Sequence, residues 1–459
     1  MNSLIKKFIP ILCIIPFIAG TVGYVMSGEA LNNSLYASFA LYFTNPVSDA
    51  YNGFVEFARW TAPLVMVTAI LYALGTVWKN ITYWAKCLSK DSVAVYSDEE
   101  IRVRFDKSVK AIYPGESFKG FAKSHILLFS SDQKSLIFFE ENKKKLKRKA
   151  VYIGLRELET GLIKENDNAV LFDINGAIAR SLWKEIKLWN SGKEDIRIVL
   201  YGNSLLAQNI LNYGLLMNLL SKKQKVSYHV ISEKPQFQIK HPGFLFHNKD
   251  EIVYHSDLDR DAWRFIQTAD IVIIADVVSV DMLQTFLVNT AAGKMYYYSP
   301  GAGDAGDYIA FKSPTAFGRD EHILTDENIR RQKLVQTAIM LHKEYAEKNG
   351  GEKDWNKLSG FLKNSNISAA DFNEVLAALP ASMPEEDLAE LEHIRWCRFH
   401  YLNYWKKGTP ADGKNKDAEE RIHKDLVSYD DLDPEEKEKD RAIVKMARKN
   451  IHIDSAEVK

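Results

Sequence analysis

The stretch FIPILCIIPFIAGTVGYVM runs from Phe8 to Met26 without one charged side chain. As a helix it covers the roughly 30 Å hydrocarbon core of a bilayer. A second uncharged stretch, APLVMVTAILYALGTVW, spans Ala62–Trp78. Lys6 and Lys7 precede the first, and Lys79, Lys86 and Lys90 follow the second. The positive-inside rule then places both chain ends in the cytoplasm and Ser27–Thr61 outside. Residues 1–89 are therefore expected to form a membrane domain with two transmembrane helices, multi-pass in an inner (cytoplasmic) membrane. Trp60 and Trp78 bracket the second span as interfacial aromatics do. The segment Leu35–Phe43 is apolar but too short to cross, which fits a re-entrant or interfacial helix. A cleaved signal peptide is the competing reading of the first stretch. Within it, TVGYV (Thr21–Val25) has most of the letters of a potassium-channel filter. Val25 stands where the filter needs glycine, and no span and pore helix precede it. The string reads as the outer end of the first helix, with Tyr24 at the interface.

Charge is sparse over the first 85 residues and dense afterwards, and the net charge is zero. No bulk electrostatic attraction to DNA is expected. Cys13, Cys87 and Cys397 lie far apart, without metal or disulfide spacing, as in a reduced compartment. No P-loop, nucleophile elbow or paired zinc ligands occur, so neither catalytic residues nor a metal site are expected, and the chain does not read as an enzyme. The basic run Lys143–Lys149 is a solvated loop, or a contact for anionic lipid.

After a strand-rich connector (residues 90–122), apolar strands alternate with helical segments, the pattern of parallel sheets with crossover helices. Two α/β halves are expected, 123–194 and 195–318. Their first strand–turn–helix units are HILLFSSDQKSLIFFEEN (His125–Asn142) and DIRIVLYGNSLLAQNILNYGLLMNLL (Asp195–Leu220). In a dinucleotide site the turn after the first strand carries glycines that admit a pyrophosphate to the helix N-terminus. The matching positions are Gly202, Ser204 and Ala207 in the second half, and Phe129, Ser131 and Lys134 in the first. Gly202, Asn203, Ser204 and the strand-ending Glu233 thus make a degenerate nucleotide site, and the missing glycines argue against NAD. A scaffold that lost its ligand is the alternative. Two membrane helices followed by tandem Rossmann-like halves resemble bacterial regulator-of-potassium-conductance (RCK) proteins over about Ser124–Pro300. The resemblance implies halves that sense a ligand and pass strain to the membrane part.

Residues 319–352 read as a helical linker, with Asp320–Lys348 as one long strut and a further helix over Ser365–Leu379. In LAELEHIRWCRFHYLNYWKKG (Leu388–Gly408), helical rotation puts Leu388, Leu391, Ile394, Phe399, Leu402 and Trp405 on one arc. His393, Trp396, His400 and Asn403 share another. Rings that stack a base, with donors beside them, would explain the second arc. A satisfied internal network would explain it equally. His393-x-x-Trp396, Trp405-x-x-Gly408, RIHKDLVSYDDL (Arg421–Leu432) and EEKEKDR (Glu435–Arg441) follow the order of the ryanodine receptor (RyR) repeat domain. The chain departs from that signature at Tyr404, which replaces a glycine, and at Lys424 and Ser428, which replace prolines. The resemblance covers residues 353–459 and implies a mostly α-helical module that binds nucleotides or nucleotide-derived signals. By that resemblance and the arc, His393, Trp396, His400, Trp405, His423, Tyr429 and Asp440 are the candidate ligand-binding residues.

The expected function is a membrane-anchored cytoplasmic sensor, binding a nucleotide or cyclic nucleotide and coupling it to an ion leak or similar membrane response. Such a chain works as a homo-oligomer in contact with membrane lipid, and an antiviral effector role suits it. A non-conducting scaffold, or a regulatory subunit of an ion transporter, is the alternative.

Overall fold

The computed structural model describes residues 3–158, 169–234, 236–291, 293–301 and 305–454. The chain divides into two compact units, Met1–Ser92 and Val93–Lys459.

The first unit is helical: α1 (Ser3–Met26), α2 (Leu31–Ala40) and α3 (Gly53–Cys87). Among the described residues α3 alone is long and apolar enough to cross a membrane, and it contains the expected span Ala62–Trp78. The expected first span falls within α1, whose described apolar part, Ile14–Met26, is shorter; the side chains of residues 8–13 lie outside the described residues. Along α3, Trp60, Leu64, Leu71 and Trp78 are exposed. Asn52 caps α3, accepting from the Phe54 and Val55 amides, and its Nδ2 donates to the Gly23 carbonyl at 2.7 Å. A β-carbon on Gly23 would lie 2.8 Å from Val55 Cγ2, so α1 approaches α3 this closely only with glycine there. TVGYV is helical throughout, and a helix spends its carbonyls on its own ladder, so the string offers no filter. Tyr24, expected at the outer interface, is instead fully buried against Ala37, Val55 and Ala58. The segment expected to be re-entrant or interfacial, Leu35–Phe43, forms the end of α2 and a 3-10 turn, Leu41–Phe43.

The second unit holds two parallel α/β sheets. The first comprises β1 (Ser92–Tyr96), β2 (Lys110–Ile112), β3 (Ser124–Leu127), β4 (Ala150–Leu155) and β5 (Ala169–Asp173), in the order β2-β1-β3-β4-β5. Helices α4 (Asp132–Leu146) and α5 (Ile174–Ile186) follow β3 and β5. Residues 90–122 are thus not a connector: β1 pairs in parallel with β3 from the Val93–Ser124 register onward. The second sheet contains β6 (Asp195–Tyr201), β7 (Lys225–Ile231), β8 (Glu251–His255), β9 (Ile271–Ile274), β10 (Lys294–Tyr298) and β11 (Thr315–Phe317). Its helices are α6 (Leu205–Met217), α7 (Gln236–Lys240), α8 (Arg260–Thr268) and α9 (Val280–Asn289). The order β11-β10-β9-β6-β7-β8, all parallel, is that of a doubly wound Rossmann-like sheet with its switch point between β6 and β9.

The expected strut is broken into α10 (Asp320–Ile323), a π turn over Glu327–Arg331, and α11 (Lys333–Asn349), first where Leu324 leaves helical geometry at ψ +74° and again where Gln332 takes a φ of +44°. Then come α12 (Gly360–Ala378), α13 (Glu385–Leu402) and α14 (Pro434–Asp454), with a small sheet of β12 (Lys406–Lys407), β13 (Lys416–Asp417) and β14 (Ile422–His423). Helix α12 starts a turn and a half before the expected Ser365: the Ser359 hydroxyl caps it by accepting from Leu362 N. Linker and helical region are not appended modules. One apolar core runs from Val93 and Ile126 through Trp183, Leu215 and Tyr228 to Phe372 and Leu391.

Candidate functional site

The two candidate sites have opposite fates. At the turn after β6, Ser204 caps α6, its hydroxyl accepting from Ala207 N. The amides that would meet a phosphate are already taken. Asp276 Oδ2 accepts from Asn203 N at 2.7 Å, and Asp276 Oδ1 accepts from Ser204 N at 3.2 Å. Asn203 Oδ1 accepts from the Ser232 hydroxyl and from Glu233 N, which ties Glu233 into the turn. A β-carbon on Gly202 would stand 2.9 Å from Asp276 Oδ1, so the glycine makes room for the chain's own carboxylate. The space left is about 20 Å³, enough for one water. At the expected nucleotide site of Gly202, Asn203, Ser204 and Glu233, the chain's own Asp276 stands where a phosphate was expected. The first half repeats the device: Asp98, just past β1, accepts from Ser130 N and Oγ and pairs with Lys134.

The helical region keeps its site open. Helix α13 has no single apolar face: Leu388, Leu391, Ile394, His393, Arg395, Cys397, Arg398, Phe399 and His400 are all buried, as on a helix enclosed on every side. Most of both expected arcs therefore packs inside, and Trp396, Leu402 and Asn403 are half-buried. His400 Nδ1 donates to the Trp396 carbonyl at 2.9 Å, and the two rings lie 4.0 Å apart. His393 stacks on Trp396 at 5.6 Å, and His423 meets it edge-on at 5.0 Å. His393, Trp396, His423 and Asp440 line a cavity of about 420 Å³, with Asp425, Lys416 and Lys439 also on its wall.

Three expected residues stand behind that wall. Trp405 is buried and stacks on Phe361 at 5.0 Å, and His400 lies between the two tryptophans. Tyr429 donates to Glu386 Oε1 at 3.0 Å, and the same carboxylate takes Arg441, which fastens α14 to the start of α13. Asn403, on the same arc as Trp396, faces a different cavity, formed with α5, α6 and α12. Tyr404 holds a φ of +67°, the left-handed conformation that glycine adopts freely, at the position where the RyR signature has glycine.

The cluster is electrostatically divided. Burial pulls the His393 imidazole down, but the Asp440 hydrogen bond and Cys397 outweigh it and raise it to about 10. Its Nε2 donates to the Val427 carbonyl at 2.9 Å and its Nδ1 faces Asp440 at 3.3 Å, so both nitrogens carry protons. Burial lowers His400 to about 3. Burial, then the nearby Lys416, lowers His423 to about 4, and its Nδ1 accepts from Asp425 N, which leaves the proton on Nε2. Asp425 is buried, and its Oδ2 accepts no hydrogen bond. Burial raises its carboxyl above the ordinary range. The Cys397 sulfur lies 3.4 Å from His393 Nε2, but Cys397 is fully buried and does not line the cavity. Among the described residues no group of three or more histidine, cysteine or carboxylate side chains could hold a metal.

The fixings of this wall escaped the sequence reading. Arg398, fully buried, donates to the Leu215 carbonyl, to the Phe246 carbonyl and to Asn248, and pairs with Asp250 at 2.9 Å. It pins α13 to the second sheet. Arg395 makes a bidentate pair with Glu392 and donates to Ser368 of α12. The available signal was the three-residue spacing of Glu392, Arg395 and Arg398 inside a run of aromatics. Comparisons with protein-family models, with curated proteins and with solved structures find no match to this chain.

Proposed function

We propose that the chain is a membrane-anchored sensor that takes a nucleotide or nucleotide-derived signal into the Trp396 cavity. One observation carries the reading: a partly exposed indole, flanked by a charged and a neutral imidazole, faces a cavity of about 420 Å³ whose wall also holds Lys416 and Asp425, whose Oδ2 accepts no hydrogen bond. Stacking on an indole gives a base about 1–3 kcal/mol. Asp425 suits an exocyclic amino group, and Lys416 suits a phosphate. The positive φ of Tyr404 supports the resemblance to the RyR domain, because it is what a glycine position would impose.

Helix α3 is the membrane anchor in this proposal, with α1 as a second span and the second unit in the cytoplasm. Ligand affinity for one packing of the cytoplasmic unit drives the response, since a ligand shifts an equilibrium only through differential affinity. In a homo-oligomer the spans of several chains would then open an ion leak. The test is calorimetric titration of the full-length protein in detergent with nucleotides and cyclic nucleotides, followed by ion flux in liposomes with any binder. Saturable binding and ligand-dependent flux are expected. No binding across the panel removes the sensor, and binding with flat flux from a proven oligomer removes the leak.

A further inference from the structure

The basic run Lys143–Lys149, for which the sequence allows either a solvated loop or a lipid contact, has a definite place in the fold. Its first half is the last turn of α4, and its second half leads into β4. Helix α4 joins β3 to β4, which are parallel, so it returns the chain to the edge where the strands begin. On that edge Val93, Ser124 and Ala150 lie side by side in register. Lys90, Lys123 and Lys149 stand within three residues before them, so three basic segments converge on one edge.

Two contacts fasten the end of α4 to the loop that enters β3. Lys145 Nζ lies 5.2 Å from the centre of the Phe118 ring, and Lys149 Nζ donates to the Ala122 carbonyl at 2.9 Å. In the same loop Phe121 is 68% exposed, between Lys119 and Lys123 in the sequence. Lysines at a helix C-terminus complement its dipole, which accounts for Lys143–Lys145. It does not account for Lys147 and Arg148, which lie past the helix and are exposed. Lys143 pairs with Glu140 at 2.7 Å, whereas Lys144, Lys147 and Arg148 form no ion pair among the described residues.

The chain arrives at this edge from α3. Only Leu88–Asp91 separate Cys87 from β1, a reach of at most about 18 Å. Beyond Trp78, α3 still exposes Ile81 and Trp84, and Leu88 follows it exposed, as at a helix end lodged among headgroups. Basic side chains directly after a membrane span attract anionic lipid, and an exposed ring among them can enter the acyl boundary.

We propose that this edge of the first sheet, through Lys144, Lys147, Arg148 and Phe121, is a docking surface for the anionic phospholipid headgroups of the membrane that α3 spans. The proposal rests on the reading of α3 as a membrane anchor. It gives the first sheet a hold on the bilayer beyond its four-residue tether.

The test reconstitutes full-length protein in vesicles of phosphatidylcholine alone and of phosphatidylcholine with phosphatidylglycerol. Lysines are labelled with a water-soluble amine-reactive reagent and read by mass spectrometry. Lys414, exposed in the same unit, is the internal reference. Relative to it, labelling of Lys144 and Lys147 is expected to fall at least threefold with phosphatidylglycerol and to recover in high salt, which shortens the screening length. In Phe121→Ser/Lys147→Gln/Arg148→Gln, changed only at exposed positions, Lys144 should lose its protection. Equal labelling in the two kinds of vesicle overturns the proposal. So does protection that the triple variant keeps, or protection given by inorganic phosphate or a short RNA with phosphatidylcholine vesicles alone. Carbonate extraction reads the anchor separately. A chain that resists extraction yet labels equally keeps the anchor and loses the lipid surface. Release by carbonate removes the anchor, and the labelling comparison still decides the surface.

Discussion

The turn after β6 and the wall of α13 both read as ligand sites in the sequence, yet one is filled and the other open. At the turn, backbone amides at a helix N-terminus attract an anion, and Asp276 supplies it from within the chain. At α13, buried charges pair among themselves, while Trp396 stays partly exposed and the buried Asp425 Oδ2 accepts no hydrogen bond. A motif marks where a ligand can be held. Whether the seat is vacant depends on residues far away in sequence.

The largest test of this contrast concerns what holds the open wall in place. Arg398→Ala leaves Asp250 buried and uncompensated and is expected to cost about 3–5 kcal/mol in denaturant unfolding followed by tryptophan fluorescence. A loss below about 1 kcal/mol would mean that α13 is not fastened as described.

A pH series comes next. His400 and His423 are held below their ordinary 6.5 in the folded state, at about 3 and about 4, so the unfolded chain binds more protons in that window. Their contribution to stability is complete above 6.5 and is lost as pH falls through 6.5 toward 4. His393, raised to about 10, works in the opposite sense: its contribution is complete below 6.5 and is lost as pH rises toward 10. Melting temperature is therefore expected to peak near neutrality and to fall on both sides. In His423→Asn the acid limb should become shallower, and an unchanged limb would contradict the neutral assignment.

At the filled turn, Asp276→Asn removes a charged acceptor from two amides and is expected to cost about 1–3 kcal/mol. Nucleotide affinity of this variant should equal that of the wild type. A new, Trp396-independent nucleotide site in Asp276→Asn would break the contrast. The smallest effect is expected at Tyr404→Gly. Relief of the positive φ, about 1 kcal/mol, is offset by loss of the ring's contacts with His241 and Arg421. The net change in unfolding free energy should stay within about 1 kcal/mol.

Local chemistry was legible in the sequence and remote chemistry was not. The strand–helix alternation located both sheets, because parallel strands buried on two faces are written as apolar runs such as IVII, Ile271–Ile274. Helical spacing put His393, Trp396 and His400 together, since neighbours at three and four residues share a face. The Asp276 plug was hidden by its 73-residue separation from Asn203. Residues 90–122 looked like a connector because β1 is short and its parallel partner β3 lies beyond a loop and β2. The break at Gln332 has no glycine or proline to announce it. Trp405 and Tyr429 lie buried behind the cavity wall rather than on it, which the sequence does not reveal because buried aromatic packing and ligand stacking use the same residue types.

The most direct measurement is titration of a nucleotide that binds the full-length protein into wild type and Trp396→Ala, under identical detergent and salt. Trp396 packs at the edge of the Cys397–Trp405 cluster with part of its surface exposed, so a variant whose melting curve shows that it is folded should lose about 1–3 kcal/mol of binding, roughly five- to 150-fold in affinity. Equal affinity in the two proteins would contradict the assignment of the site to α13.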